Sequence, residues 1–104
     1  MPRQGVSKPA YPLKEVKRLA MESQVLFRRR KDGKATPANV GLTEAEACAV
    51  IARLRPWEFD ITSQPQDEEL PADVYKTTLG PDTLYIKLLI SETGELLVVI
   101  SFHL

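Results

Sequence analysis

The sequence predicts an α+β fold with two N-terminal helices packed on one face of a four-stranded antiparallel sheet. Two observations predict this class. Helical periodicity and capping signals are confined to the first half of the chain, and β-forming segments follow one another in the second half. The two apolar runs within residues 84–104 flank the polar segment 91–94, a pattern typical of an antiparallel hairpin. Helices and strands are therefore segregated along the chain.

The two helices are predicted from their apolar spacing and from their first turns. The first begins at about Pro12, which is well tolerated in the first turn of a helix, and runs to about Ser23. The second covers residues 44–54. Thr43 precedes it and Glu46 lies three residues later, which is the spacing of a capping box.

The single cysteine, Cys48, lies near the apolar side of the second helix. One cysteine excludes an internal disulfide and a cysteine-cluster metal site. Catalytic cysteines need an electropositive setting, and no histidine is nearby in the sequence. A buried and inert thiol is therefore favoured over a nucleophile.

Two strands are predicted before the terminal hairpin. Apolar and polar residues alternate in the first, so three side chains are expected to point inward: Trp57, Phe59 and Ile61. The second covers residues 73–79, with Tyr75 in the core rather than in a site. The acidic segment between the two strands contains two prolines, which predicts an exposed loop.

The pleat of the terminal hairpin decides which of its residues share a face. The apolar positions expected on the core are Leu84, Ile86, Leu88, Ile90, Leu96, Val98, Ile100 and Phe102. One possible register pairs Ile90 with Leu96 and places Tyr85 opposite Ser101. A shift by two residues places Tyr85 opposite His103 instead. In both registers Tyr85 and His103, the only histidine, lie on the face turned away from the core.

The length of 104 residues predicts one domain, residues 11–104, preceded by a flexible N-terminal arm, residues 1–10. The net charge of zero conceals an asymmetry, because residues 1–36 contain ten Lys and Arg against three Asp and Glu. This asymmetry indicates a basic region with an anionic partner, or two charge patches that partly face each other.

Several classes of protein are not expected. No apolar run is long enough to span a membrane, and the N-terminus lacks the apolar stretch of a secretory signal. A soluble cytoplasmic protein without a membrane partner is therefore predicted. No group of residues has metal-ligand spacing and no glycine-rich nucleotide loop occurs, so no metal or other cofactor is expected.

Four consecutive cations, Arg28-Arg29-Arg30-Lys31, follow an apolar patch. They are either a solvated loop or strand end, or an element that contacts phosphate, because guanidinium groups bind phosphate in a bidentate way. The sequence does not decide between these interpretations.

The ordered parts of the chain resemble the MqsR family of bacterial toxins. The residues that carry the resemblance include Cys48-Ala49-Val50-Ile51, Asp73-Val74-Tyr75-Lys76, Tyr85-Ile86-Lys87 and Ile100-Ser101-Phe102. The similarity extends from about Tyr11 to His103. These toxins are messenger-RNA endoribonucleases of type II toxin–antitoxin systems, related in fold to RelE-type toxins.

The resemblance implies cleavage of RNA, often beside GC-containing sequences, and neutralisation by a cognate antitoxin that also binds DNA, such as MqsA. Tyr85 matches a tyrosine implicated in the family's active site, and His103 stands where the best-known member has a lysine. Ile61 or a neighbour, and Ala72, stand where that member has a lysine and a glutamine. The polar set of this chain therefore differs from that of the best-known member.

A metal-independent ribonuclease must deprotonate a ribose 2′-hydroxyl, stabilise a phosphorane and protonate the leaving oxygen, giving a 2′,3′-cyclic phosphate. We expect His103 to act as general acid or base, because histidine is the side chain best suited to proton transfer near neutral pH. Tyr85 is its expected neighbour in proton transfer or substrate orientation. The expected phosphate ligands are Lys87 and one or more of Arg28, Arg29 and Arg30, with Lys76 as a weaker candidate.

Each of these residues also has a purely structural interpretation. His103 could be a partly exposed residue at a sheet edge, Tyr85 an amphipathic tyrosine on a half-buried sheet, and Lys87 a solvated cation. Two other functions fit the same features. One is a non-catalytic domain that binds RNA or the ribosome, and the other is a protein-interaction module whose charge patches bind a partner or a second copy.

Overall fold

The computed structural model describes residues 8–28, 36–66 and 68–104. Two α-helices and five strands occur in the described residues, together with short 3₁₀ turns at Pro37–Val40 and Pro56–Glu58. In chain order the elements are α1 Leu13–Met21, β1 Val25–Phe27, α2 Glu44–Ala52, β2 Phe59–Ser63, β3 Ala72–Leu79, β4 Asp82–Ile90 and β5 Leu97–His103. None of these helices is long and apolar enough to cross a lipid bilayer.

The strands form one mixed sheet in the order β1-β5-β4-β3-β2. The α+β class is confirmed, but the prediction of four antiparallel strands was wrong. Val25–Phe27 is a fifth strand that pairs in parallel with β5, and α2 follows it, so the helices do not both precede the sheet. Three residues are too few to show an alternating pattern, and their partner lies some seventy residues later in the chain.

Both helices begin as their sequences predict. Pro12 immediately precedes α1 in an extended conformation. In α2 the amide of Glu46 donates to the Thr43 hydroxyl at 3.1 Å, and the Thr43 amide donates to the Glu46 carboxylate at 2.9 Å, which completes the capping box. The helix ends at Ala52, two residues earlier than predicted, but Leu54 is still fully buried.

The helices cover one face of the sheet, which we call the covered face. Its buried side chains form a single cluster with those of α1 and α2. From the helices the cluster includes Val16, Leu19, Val50, Ile51 and Leu54, and from the sheet Tyr75, Leu84, Ile86, Leu88, Ile90, Leu97, Val99 and Phe102. Tyr75 is fully buried, so its predicted place in the core is confirmed.

A β-bulge in β5 sets the faces of the terminal hairpin. Tyr85 pairs with His103, as in the second of the two predicted registers, but the register shifts between Lys87 and Leu88. Ile90 consequently pairs with Leu97, whereas the second register would have paired it with Val98 and the first with Leu96. An extra residue in a strand reverses the face of every residue on one side of it.

The prediction of inward positions in the last strand was therefore only partly right. Phe102 lies on the covered face as predicted, but Leu97 and Val99 join it there. Val98 and Ile100 pack instead with Ala72 and Leu89, and Leu96 packs against that second cluster. Residues 96–100 are all apolar, so this stretch of the sequence contains no signal for the bulge.

A second bulge lies in β2, where Phe59 pairs with Tyr75 and Ile61 pairs with Val74. Asp60 is the additional residue. The predicted inward alternation of this strand was wrong for two positions, because Trp57 is 77% exposed and Ile61 is 48% exposed. Trp57 lies in the 3₁₀ turn before the strand, and only Phe59 packs against the main core.

The segment that leads into α1 is fixed by a buried carboxylate. Asp73 is fully buried and accepts hydrogen bonds from the amides of Ala10 at 2.9 Å and Tyr11 at 3.0 Å. The Thr62 hydroxyl donates to the same carboxylate at 2.6 Å. Such a set of donors compensates for removing the charge from water.

Candidate active site

Three predicted site residues lie in one row across the sheet, on the face that the helices leave uncovered. Lys76 of β3 pairs with Tyr85 of β4, which pairs with His103 of β5. Side chains alternate along a strand, so the neighbours of Tyr85 in β4, Leu84 and Ile86, lie on the covered face. The row is therefore directed away from the core.

The aromatic ring of Tyr85 is enclosed between its two neighbours in the row. Its centroid is 5.8 Å from that of the His103 ring, and the two planes are inclined by 27° in a stacked arrangement. The Lys76 ammonium lies 5.7 Å from the same centroid. The neighbours come from the strands on either side of β4, so the ring has one of them on each side. Tyr85 is still 36% exposed, and its hydroxyl is the group that can donate a hydrogen bond to a substrate.

The His103 ring is oriented by a main-chain hydrogen bond. Its Nδ1 lies 3.0 Å from the Leu104 main-chain oxygen, which can only accept. Nδ1 therefore carries the proton, and in the neutral ring Nε2 has the free lone pair. Asn39 donates to the Phe102 carbonyl at 3.3 Å, which attaches the 3₁₀ turn Pro37–Val40 to the strand end that carries this histidine.

Lys76 also has an acidic neighbour. Its ammonium lies 3.7 Å from a carboxylate oxygen of Asp60, and the two side chains are 48% and 41% exposed. An exposed pair at this distance contributes little stability, so an incoming phosphate can compete for the ammonium. Asp60 was not singled out in the sequence, because simple alternation gave no reason to associate it with Lys76.

The next row on the uncovered face contains the remaining predicted lysine. Lys87 of β4 pairs with Ser101 of β5 on one side and with Val74 of β3 on the other, and Val74 pairs with Ile61. Lys87 is half-buried and Ser101 is 9% exposed. The row thus places a cation and a hydroxyl one step along the strands from Tyr85 and His103.

Both β-bulges flank this second row. One inserts Asp60 before Ile61 in β2, and the other inserts Ile100 before Ser101 in β5. A bulge directs two successive side chains towards the same side, where regular alternation would separate them. At each end of the row, in β2 and in β5, one more side chain therefore lies on the uncovered face than in a regular strand.

Arg28 is not brought into either row. The Arg28 amide donates to the Val99 carbonyl at 2.9 Å, and its side chain forms an ion pair with Glu68 of the acidic loop. This pair borders a groove of about 490 Å³ whose lining includes Leu89 and Val98. Leu89 lies four residues beyond Tyr85 in β4, on the order of 13 Å along the strand. Arg29 and Arg30 lie outside the described residues.

Two other reactive groups are remote from the site. Cys48 is buried, and burial together with the charge of Glu44 raises the pKa of its thiol. Burial, with a smaller contribution from Asp73, raises the pKa of Tyr75 to about 12. Both groups are therefore protonated at neutral pH. Across the ranges that the structure describes, no group of three or more His, Cys, Asp or Glu side chains could hold a metal ion.

The family comparison agrees with the resemblance that the sequence motifs indicated. The model of the family described as motility quorum-sensing regulator, toxin of MqsA, matches residues 8–104. No curated protein matches the chain significantly. Since the family match covers nearly the whole chain, this protein belongs to the MqsR toxin family and is the toxin of a toxin–antitoxin system, with MqsA named as antitoxin by the family description.

Proposed function

We propose that this toxin is a metal-independent, sequence-selective endoribonuclease that cleaves messenger RNA in the cytoplasm and so inhibits translation and growth. One observation carries the proposal. A histidine, a tyrosine and a lysine adjoin one another in the row Lys76–Tyr85–His103, on a sheet face that the helices leave open. These are the functional groups that 2′-hydroxyl attack on a phosphodiester requires.

In this mechanism His103 accepts the proton of the ribose 2′-hydroxyl. With Nδ1 donating to the Leu104 oxygen, Nε2 of the neutral ring accepts a proton from the attacking 2′-hydroxyl. The leaving 5′-oxygen takes its proton from water, and the protonated nitrogen then releases the ribose proton to the solvent. General acid–base catalysis of this kind contributes about 10²–10⁴-fold.

Tyr85 and the lysines stabilise the negative charge that develops on the phosphorane. The Tyr85 hydroxyl donates a hydrogen bond to a phosphoryl oxygen, because its ring lies between His103 and Lys76 and the hydroxyl is its hydrogen-bond donor. Lys76 supplies positive charge from the same row and Lys87 from the adjacent one. Arg28 is directed to Glu68 and has no part in this mechanism, and Arg29 and Arg30 remain candidate phosphate ligands.

The substrate is expected to be single-stranded at the cut. An exposed sheet face binds unpaired nucleotides whose bases are accessible, whereas a base-paired RNA helix presents mainly its backbone. The cognate antitoxin is expected to be MqsA-like and to bind DNA as well as the toxin.

Incubation of the full chain with a defined RNA in EDTA tests this function. We expect cleavage at particular sequences with 2′,3′-cyclic phosphate ends, and loss of cleavage by about 10²-fold or more in His103→Ala with the unfolding temperature unchanged. The matched control is Ser91→Ala, an exchange in the loop between β4 and β5, away from the row.

Other outcomes would point to a different function. A shift of RNA mobility without cleavage would favour a non-catalytic RNA-binding domain. No effect on RNA would favour a protein-interaction module, and near-normal cleavage by His103→Ala would remove this histidine from the mechanism.

A further inference from the structure

The bulge in β2 leaves an apolar side chain exposed on the uncovered face, close to the polar row of the site. Ile61 is 48% exposed and pairs with Val74, which adjoins Lys87. An isolated exposed isoleucine needs no explanation, but this one lies beside the only acidic side chain that contacts the row in the described part of the chain. The bulge brings Asp60 and Ile61 to the same side of the strand.

A nucleotide bound next to the cut needs a surface for its base. The ring of Tyr85 already has His103 and Lys76 as neighbours in the row. Ile61 and Val74 form the neighbouring apolar surface, one row along the strands. A base that rests on them would have its edge beside the Asp60 carboxylate, and the adjoining phosphate would be within reach of Lys76.

The chemistry of a carboxylate restricts which bases fit. An ionised carboxylate only accepts hydrogen bonds, so its partner must present N–H groups. Cytosine, adenine and guanine each carry an exocyclic amino group, and guanine has a second N–H beside it. Uracil offers one N–H between two carbonyl oxygens, which repel a carboxylate. We propose that Asp60 is a specificity residue that selects an amino-bearing base over uracil on a shelf formed by Ile61 and Val74, an inference that rests on RNA being bound at the proposed site.

The test separates base preference from cleavage. The His103→Ala protein is used to select bound sequences from a random RNA library, and Asp60→Asn is added to it in a parallel selection. We expect the first selection to yield a motif with one position that excludes uracil, and the second to lose about tenfold of the discrimination at that position only. Asp82→Asn removes the same charge from an exposed position of β4 and is the matched control.

Two results would overturn the inference. If Asp60→Asn strengthens binding to all sequences equally, the carboxylate merely neutralises Lys76. In that case the slope of the logarithm of the binding constant against the logarithm of the salt concentration should steepen by about 0.7 for each additional phosphate contact. If the selected motif is the same with and without Asp60, the residue does not contact the base. Cleavage by the wild-type protein is scored separately, so the proposed function can fail while the base preference persists.

Discussion

The two faces of the sheet are built from alternate residues of the same strands, yet they differ in what surrounds them. On the covered face Ile86 and Phe102 are fully buried against the helices. One residue away in each strand, Tyr85 is 36% exposed and His103 is half-buried. Neighbouring positions thus have opposite roles. Substitutions on the covered face should reduce stability, and those in the row Lys76–Tyr85–His103 should reduce activity and leave stability almost unchanged.

The largest effect on stability is expected for Phe102→Ala. The Phe102 side chain is fully buried, and its ring meets that of Phe27 edge-on at 6.2 Å. Its removal should lower the free energy of unfolding by about 3–5 kcal/mol, because it leaves a cavity between the sheet and the helices. Urea denaturation measures this value, and His103→Ala, one position later, is the control. A loss of similar size in His103→Ala would show that the two faces are not separate in this way.

A smaller effect on stability is expected when Tyr75, on the covered face, loses its proton at alkaline pH. The pKa of Tyr75 is raised to about 12 in the folded protein, from an ordinary value of 10.0. The folded state holds the Tyr75 proton more tightly than the unfolded state does. The protonated hydroxyl therefore contributes fully to the stability of the fold below pH 10, and this contribution is lost as the pH rises from 10 through 12. About 2 kcal/mol of stability should disappear over this interval.

Tyr75→Phe provides the control for that titration. The Tyr75 hydroxyl is buried and has no hydrogen-bond partner within the described residues, so its removal should cost little at neutral pH. Denaturation curves measured at several pH values should show a shallower alkaline decline in the variant. Equal slopes in the two proteins would mean that Tyr75 titrates normally in the folded state.

The contrast between the faces also explains which features could be predicted from the sequence. The pairing of Tyr85 with His103 was among the predicted registers. This pair lies between the bulge at Ile100 and the C-terminal end of β5, so the bulge does not change the face that the two residues share. The capping box at Thr43 was predictable because its signal is local. Local signals therefore sufficed for the second helix and for the centre of the site.

Features that depend on one extra residue or on distant pairing could not be predicted. The bulge at Ile100 lies within an all-apolar run, so either face assignment satisfies the hydrophobic pattern. The proximity of Asp60 to Lys76 depends on the pairing of β2 with β3, and the exposure of Ile61 depends on the bulge in β2. The parallel strand β1 depends on a partner near the other end of the chain. Each of these features is set by tertiary structure.

The central claim is that the Lys76–Tyr85–His103 row cleaves RNA and that Tyr85 acts through its hydroxyl. The most direct test is the single-turnover cleavage rate of Tyr85→Phe, measured beside its unfolding free energy. Phenylalanine keeps the ring between His103 and Lys76 and removes only the hydroxyl. We predict a rate lower by about 10²-fold, with stability within about 0.5 kcal/mol of the wild type. A Tyr85→Phe protein that cleaves RNA at the wild-type rate would contradict the account.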